Sequence, residues 1–230
     1  MNKAPQIIRS SRFVEESADM IISQGLAAIE RSGLFRIGLA GGNTPRAIYE
    51  ELAARPDCLP WSKVQITFGD ERCVAPDHAD SNYRMAREAL LSRVSIPEGN
   101  VFRVRGEADP EEASQECELR LKAVASRLGE PVYAHDLMLL GMGPDGHTAS
   151  LFPGSPALDE EAHWVIPTIG PKPPPQRITF TFPLLNASRA VMFLVNDASK
   201  EPMIQEVIQG KFPAGRIRPE HGEVIWVIGQ

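Results

Sequence analysis

Short, largely apolar runs recur along this chain, each followed by a stretch with helical periodicity, and that alternation constrains the fold more than any other feature. Residues 35–40 (FRIGLA) have the length and Ile/Leu content of a strand buried on both faces, as in a parallel sheet covered by helices. The run ends in Gly41-Gly42. Ahead of it, apolar residues recur at helical spacing over 13–31 (Val14, Ala18, Ile21, Ile22, Leu26, Ile29), and Gly33 stands where such a helix stops. Behind it, Thr44 reads as an N-cap with Pro45 at the first helical position and Ala47, Ile48 and Leu52 on one face.

The pattern continues. Strands are expected over 64–68, 101–104, 136–141, 177–182, 190–195 and 224–228, and helices over 81–93, 110–128 and 199–209. The fold class this implies is α/β: a Rossmann-like three-layer sandwich with a mostly parallel central sheet, right-handed crossovers and helices on both faces. With 230 residues, 43% of them apolar, the chain suffices for one large core, and we read residues 1–230 as a single domain. The one compositional break, GPKPPPQ at 170–176, has four prolines that cannot continue a helix or a central strand, but its seven residues make a loop rather than a linker.

A net charge of −6 lacks the field that gathers nucleic acid or an anionic membrane, so neither partner is expected, and a bound anion must be held locally. Cys58, Cys73 and Cys117 are odd in number and widely spaced, as suits a reducing compartment. The N-terminal residues have no signal-peptide run and no apolar stretch reaches membrane-spanning length, so a cytoplasmic location is expected. Nothing in the sequence separates an exposed apolar patch from core, and a monomer is the default expectation. The histidines at 78, 135, 147, 163 and 221 show no HxH or HExxH spacing; no catalytic metal and no cofactor are expected.

In open α/β sheets ligands bind beyond the carboxyl ends of the strands. Four segments there carry chemistry. Gly41-Gly42-Asn43-Thr44 ends a strand and opens a helix with exposed N–H groups that suit a phosphate; the alternative is an ordinary capped turn. Asp70-Glu71-Arg72 places three charges at a strand end, either a solvated ion-paired loop or a site where Arg72 grips an anion and Asp70 accepts from sugar hydroxyls. The segment 141–154 (GMGPDGHTASLFPG) contorts the backbone around Asp145 and His147, and an imidazole can take a proton near neutral pH. Arg177 and Lys200 add positive charge; each alone is an ordinary surface cation, while together with the glycine turn they suit a phosphate dianion. Ser150 lacks a G-x-S-x-G elbow, so an acyl-enzyme route has no nucleophile.

Taken together, LAGGNTP, TFGDERCV, DSNYRMAREALL, GMGPDGHTASLFPG, RITFTFPLLN and the Lys200 segment resemble, in order, the 6-phosphogluconolactonase family and, more distantly, the glucosamine-6-phosphate deaminases of the same fold. The match runs from Gly38 to about Ile204. The resemblance implies hydrolysis of 6-phosphogluconolactone to 6-phosphogluconate in the oxidative pentose phosphate pathway, with a phosphorylated sugar lactone as the small-molecule partner. It implies that His147 activates a water, that Asp145 orients the imidazole or a substrate hydroxyl, and that Gly42, Asn43, Thr44, Arg72, Arg177 and Lys200 surround the phosphate and the developing acid. The deaminases place a carboxylate where this chain has Phe152, which favours the lactonase. The chain departs from the lactonase pattern in ending GEVIWVIGQ without an Asp after the Trp, and in carrying Asn196-Asp197 where a Gly is usual. Two other readings remain: an isomerase-deaminase, and a sugar-phosphate-binding regulator without turnover.

Overall fold

The computed structural model describes residues 4–197 and 200–230. Among these, six strands form an all-parallel sheet in the order β1 (Gln6–Ser10), β9 (Glu223–Gly229), β8 (Ala190–Val195), β5 (Leu137–Leu140), β2 (Phe35–Leu39), β3 (Val64–Phe68). Side chains alternate across each strand, and both sides are apolar. Leu137, Leu139, Met192 and Leu194 enter one core, while Met138, Leu140, Val191 and Phe193 enter the other. Burying a residue of this size contributes about 1.5–3 kcal/mol, so the two cores together drive the layering.

Three helices cover the first face: α1 (Phe13–Ser32), α2 (Asn43–Ala53) and α3 (Asn82–Ala86), which continues as a π turn over Arg87–Leu91. Gly33 ends α1 in the left-handed conformation, as its position in the sequence indicates. The second face is covered by α4 (Pro110–Leu128), α5 (Phe182–Leu185), α6 (Glu201–Ile208) and a three-stranded antiparallel sheet in the order β4 (Asp70–Arg72), β7 (Gln176–Phe180), β6 (Val165–Ile169). Asp109 caps α4, accepting from the N–H groups of Glu111 and Glu112. Among the described residues no helix is long and apolar enough to cross a membrane.

The α/β layering is as expected, with several corrections in detail. The strand expected over 177–182 leaves the main sheet altogether: it pairs antiparallel with β6 across the proline hairpin and stops at Phe180, where Thr181 opens α5. The strand expected over 101–104 is a single bridge between Val101 and Ile66, because tight turns precede it at 98–100 and follow it where Gly106 N–H bonds the Val104 carbonyl. Helix α2 begins at Asn43 with Gly42, not Thr44, as its N-cap; Gly42 has φ 105°, which turns the chain into the helix two residues early and requires glycine. The start expected for α6 at Ser199 lies outside the described residues. Strands β1, β4 and β6 are further strands that the sequence pattern does not mark, since all three lie at sheet edges.

Candidate active site

The parallel strands end in three loops that meet the small sheet. After β2, the Tyr49 hydroxyl donates to the Ala40 carbonyl at 2.9 Å and accepts from its N–H at 3.0 Å, pinning the turn. A Cβ on Gly41 would lie 2.0 Å from Asn82 Oδ1, so only glycine permits the approach of α3. After β3, Gly69 carries the chain across to β4, its N–H on the Leu39 carbonyl and its carbonyl accepting from Phe180 N–H. Alternation along β4 then separates its three charged side chains. Asp70 and Arg72 line the cleft. Glu71 is buried and accepts from the N–H groups of Arg72, Asn82 and Tyr83 at 2.7–2.8 Å and from the Ser81 hydroxyl at 3.1 Å. Burial pushes the Glu71 carboxyl above its ordinary range, and the three backbone donors oppose that rise.

Arg72 stands directly opposite Arg177 in the β4–β7 ladder. Like charges across a rung repel. Burial, and then the charge of Arg72, hold Arg177 below the usual guanidinium value. Among the described residues no carboxylate lies within ion-pair distance of either; Arg72 Nη1 donates to the Asp80 carbonyl, Arg177 Nε to the Pro174 carbonyl at 2.8 Å and Arg177 Nη2 to the Lys172 carbonyl at 3.4 Å. Arg72 Nε is buried with no hydrogen-bond partner. Two guanidinium groups held together, neither in a salt bridge among the described residues although Asp70 and Asp80 act on Arg177 from farther off, suit an anion with several oxygens.

The loop after β5 presents Asp145 and His147. A Cβ on Gly143 would lie 2.1 Å from His147 Cε1 and Nδ1, so the imidazole rests on a glycine backbone. Asp145 Oδ1 lies 2.5 Å from His147 Nδ1 and 3.2 Å from its N–H. Burial raises the Asp145 carboxyl, but the hydrogen bond from His147 and its charge outweigh this and hold Asp145 below the usual range. The ionised carboxylate only accepts, so Nδ1 carries a proton; in the neutral form of the imidazole the lone pair is then on Nε2. The Phe152 ring packs on the imidazole, centroids 4.5 Å apart.

Gly41, Asp70, Arg72, Asp145, His147 and Arg177 all line one cleft of about 410 Å³. Gly42, Asn43 and Thr44 form the first turn of α2 beside it without lining it, and Lys200 reaches the loop that carries His147, its Nζ donating to the Met142 carbonyl at 3.2 Å. Asn82 and Lys172 also line the cleft and were missed. Asn82 was hidden as a polar residue behind a helix cap, and Lys172 sits within a proline tract that reads as a bare loop. Among the described residues no three His, Cys, Asp or Glu side chains gather in a metal-binding arrangement.

A strand-end cleft with a carboxylate-paired histidine and two facing arginines is a site of the α/β enzyme class that suits an anionic ligand. Residues 9–226 match the model of the glucosamine-6-phosphate isomerases/6-phosphogluconolactonase family, and the chain belongs to that family. A 6-phosphogluconolactonase of Synechocystis is 42% identical, the match covering 99% of this chain and 96% of the relative, and a human 6-phosphogluconolactonase is 38% identical, covering 85% and 78%. The crystal structure of 6-phosphogluconolactonase from Thermotoga maritima superposes with a TM-score of 0.88 at 30% identity, covering 98% of this chain and all of that one.

Proposed function

We propose that this protein hydrolyses 6-phosphogluconolactone to 6-phosphogluconate, with His147 as the general base, serving the oxidative pentose phosphate pathway in the cytoplasm. The observation that carries the reading is the juxtaposition, in one cleft, of the Asp145–His147 pair with the unpaired arginines Arg72 and Arg177. Relatives bearing the lactonase name along nearly the whole chain support it. Three free cysteines accord with a reducing compartment.

In this reading Arg72 and Arg177 hold the phosphate, and Asp70 accepts from a sugar hydroxyl. His147 Nε2 takes a proton from water as its oxygen bonds to the lactone carbonyl carbon. The tetrahedral oxyanion then collapses, the ring C–O bond breaks, and the departing alkoxide receives the proton from Nε2–H. A lactone is an activated ester, so a base supplying roughly 10²–10⁴-fold, with positioning through the remote phosphate, suffices. Phe152 places an apolar ring against the imidazole where deamination would call for a further acid-base group.

The test is the rate of 6-phosphogluconate formation from freshly generated lactone, corrected for spontaneous hydrolysis. His147→Ala is expected to lose about 10²–10⁴-fold in kcat with KM little changed, because the base acts in the transition state and not in the phosphate grip. No acceleration by folded wild-type protein, with binding retained, would instead indicate a sugar-phosphate regulator; ammonia release from glucosamine 6-phosphate would indicate the deaminase.

A further inference from the structure

Ser150 is fully buried, and its two polar groups reach two different strands of the small sheet. Its hydroxyl donates to Asp70 Oδ2 at 2.6 Å, and its N–H donates to Thr179 Oγ1 at 3.2 Å. Asp70 and Thr179 are cross-strand partners in β4 and β7, and two residues along the same ladder Arg72 faces Arg177. With a side-chain period of two, the Asp70–Thr179 rung and the arginine rung present the same face. The loop carrying His147 is therefore fastened, three residues beyond the base, to the strand pair that carries the arginines.

Two observations show how firm the fastening is. Asp70 is held from its other side as well, since Asn82 Nδ2 donates to Asp70 Oδ1 at 3.1 Å and to the Asp70 carbonyl at 2.9 Å. Ala149, between the base and Ser150, has φ 48°, a left-handed conformation that a non-glycine residue keeps only when its surroundings impose it.

We propose that Ser150 is a positioning residue that sets the register between the base His147 and the phosphate-holding arginines, so that a substrate anchored at one end presents its carbonyl at the other. The inference rests on the hydrolytic reading above. It also gives this serine a role that needs no nucleophilic geometry.

The test compares wild type, Ser150→Ala, Thr179→Val and Thr179→Ser in the full chain, reading kcat, KM and competitive inhibition by inorganic phosphate. A displacement of about 1 Å in a reacting group costs on the order of 10²-fold, so Ser150→Ala and Thr179→Val are each expected to lower kcat about 10- to 100-fold. The phosphate inhibition constant should stay within about two-fold, since the arginines are held by the sheet, and Thr179→Ser should retain activity because it keeps the hydroxyl acceptor. Unchanged kcat in both Ser150→Ala and Thr179→Val overturns the inference alone. Loss of kcat and phosphate binding together, in step with the folded fraction in a thermal melt, overturns it in favour of a purely structural role. Absence of lactone turnover by wild type overturns the hydrolytic reading and this inference with it.

Discussion

Asp145 and His147 lie two residues apart, so the sequence shows that they share a loop, while it left Asp145 to orient either the imidazole or a substrate hydroxyl; the structure pairs it with the imidazole. Folding favours the ionised form of Asp145, whose carboxyl sits below the usual range. The stabilisation it brings is thus fully present above the unfolded value, about 3.9, and is lost as pH falls through the depressed folded value. Asp145→Asn is therefore expected to lower stability at neutral pH and to match wild type in strong acid, as urea unfolding across pH would record. The same change weakens the acceptor at Nδ1 and should reduce kcat about 10- to 100-fold, part of the roughly 10²–10⁴ supplied by a general base.

Strand β4 shows how three adjacent charges acquire different work. In sequence, Asp70, Glu71 and Arg72 read equally as a surface cluster or a site; the strand resolves this by sending alternate side chains to opposite sides, two to the cleft and Glu71 into the interior, where it ties down the start of α3. Glu71→Ala would strand three backbone N–H groups. At about 1–3 kcal/mol for each buried unsatisfied donor, a loss of at least about 3 kcal/mol is expected in denaturant unfolding. Glu71→Gln keeps one carbonyl oxygen as an acceptor and should lose less.

Across the whole molecule, the cleft and a buried ion network occupy opposite ends of the parallel sheet. The cleft opens at the carboxyl ends of β2, β3 and β5. At the amino ends, Arg36 is 4% exposed and pairs with Glu130 at 2.5 Å and Asp136 at 3.6 Å, with Arg31 and Arg189 also on Asp136. Burial opposes the charge of Arg36, yet these carboxylates raise its pKa above the ordinary value. Removing one partner leaves Asp136 buried with less compensation, so Arg36→Ala is expected to cost about 3 kcal/mol. KM for the lactone should be unchanged, because nothing in that network touches the cleft; a chemical melt and a Michaelis curve on the same preparation check both halves.

By itself the sequence determined the helices with strong periodicity, α1 with its end at Gly33 and α4 from Pro110 to Leu128, and the apolar strand β8. It also determined which loops follow the strands, and that one of them holds both Asp145 and His147. These depend on neighbours a few residues apart, and local periodicity and turn chemistry encode them. Tertiary structure alone decided that residues 176–180 leave the main sheet for an antiparallel ladder, that Arg72 meets Arg177 across it, that Ser150 reaches Asp70, and that Lys200 holds a loop carbonyl outside the cleft lining. Those contacts join segments far apart in the chain through short strands such as β4, whose three residues show no period, and their partners are chosen only when the two cores close on both faces of the sheet.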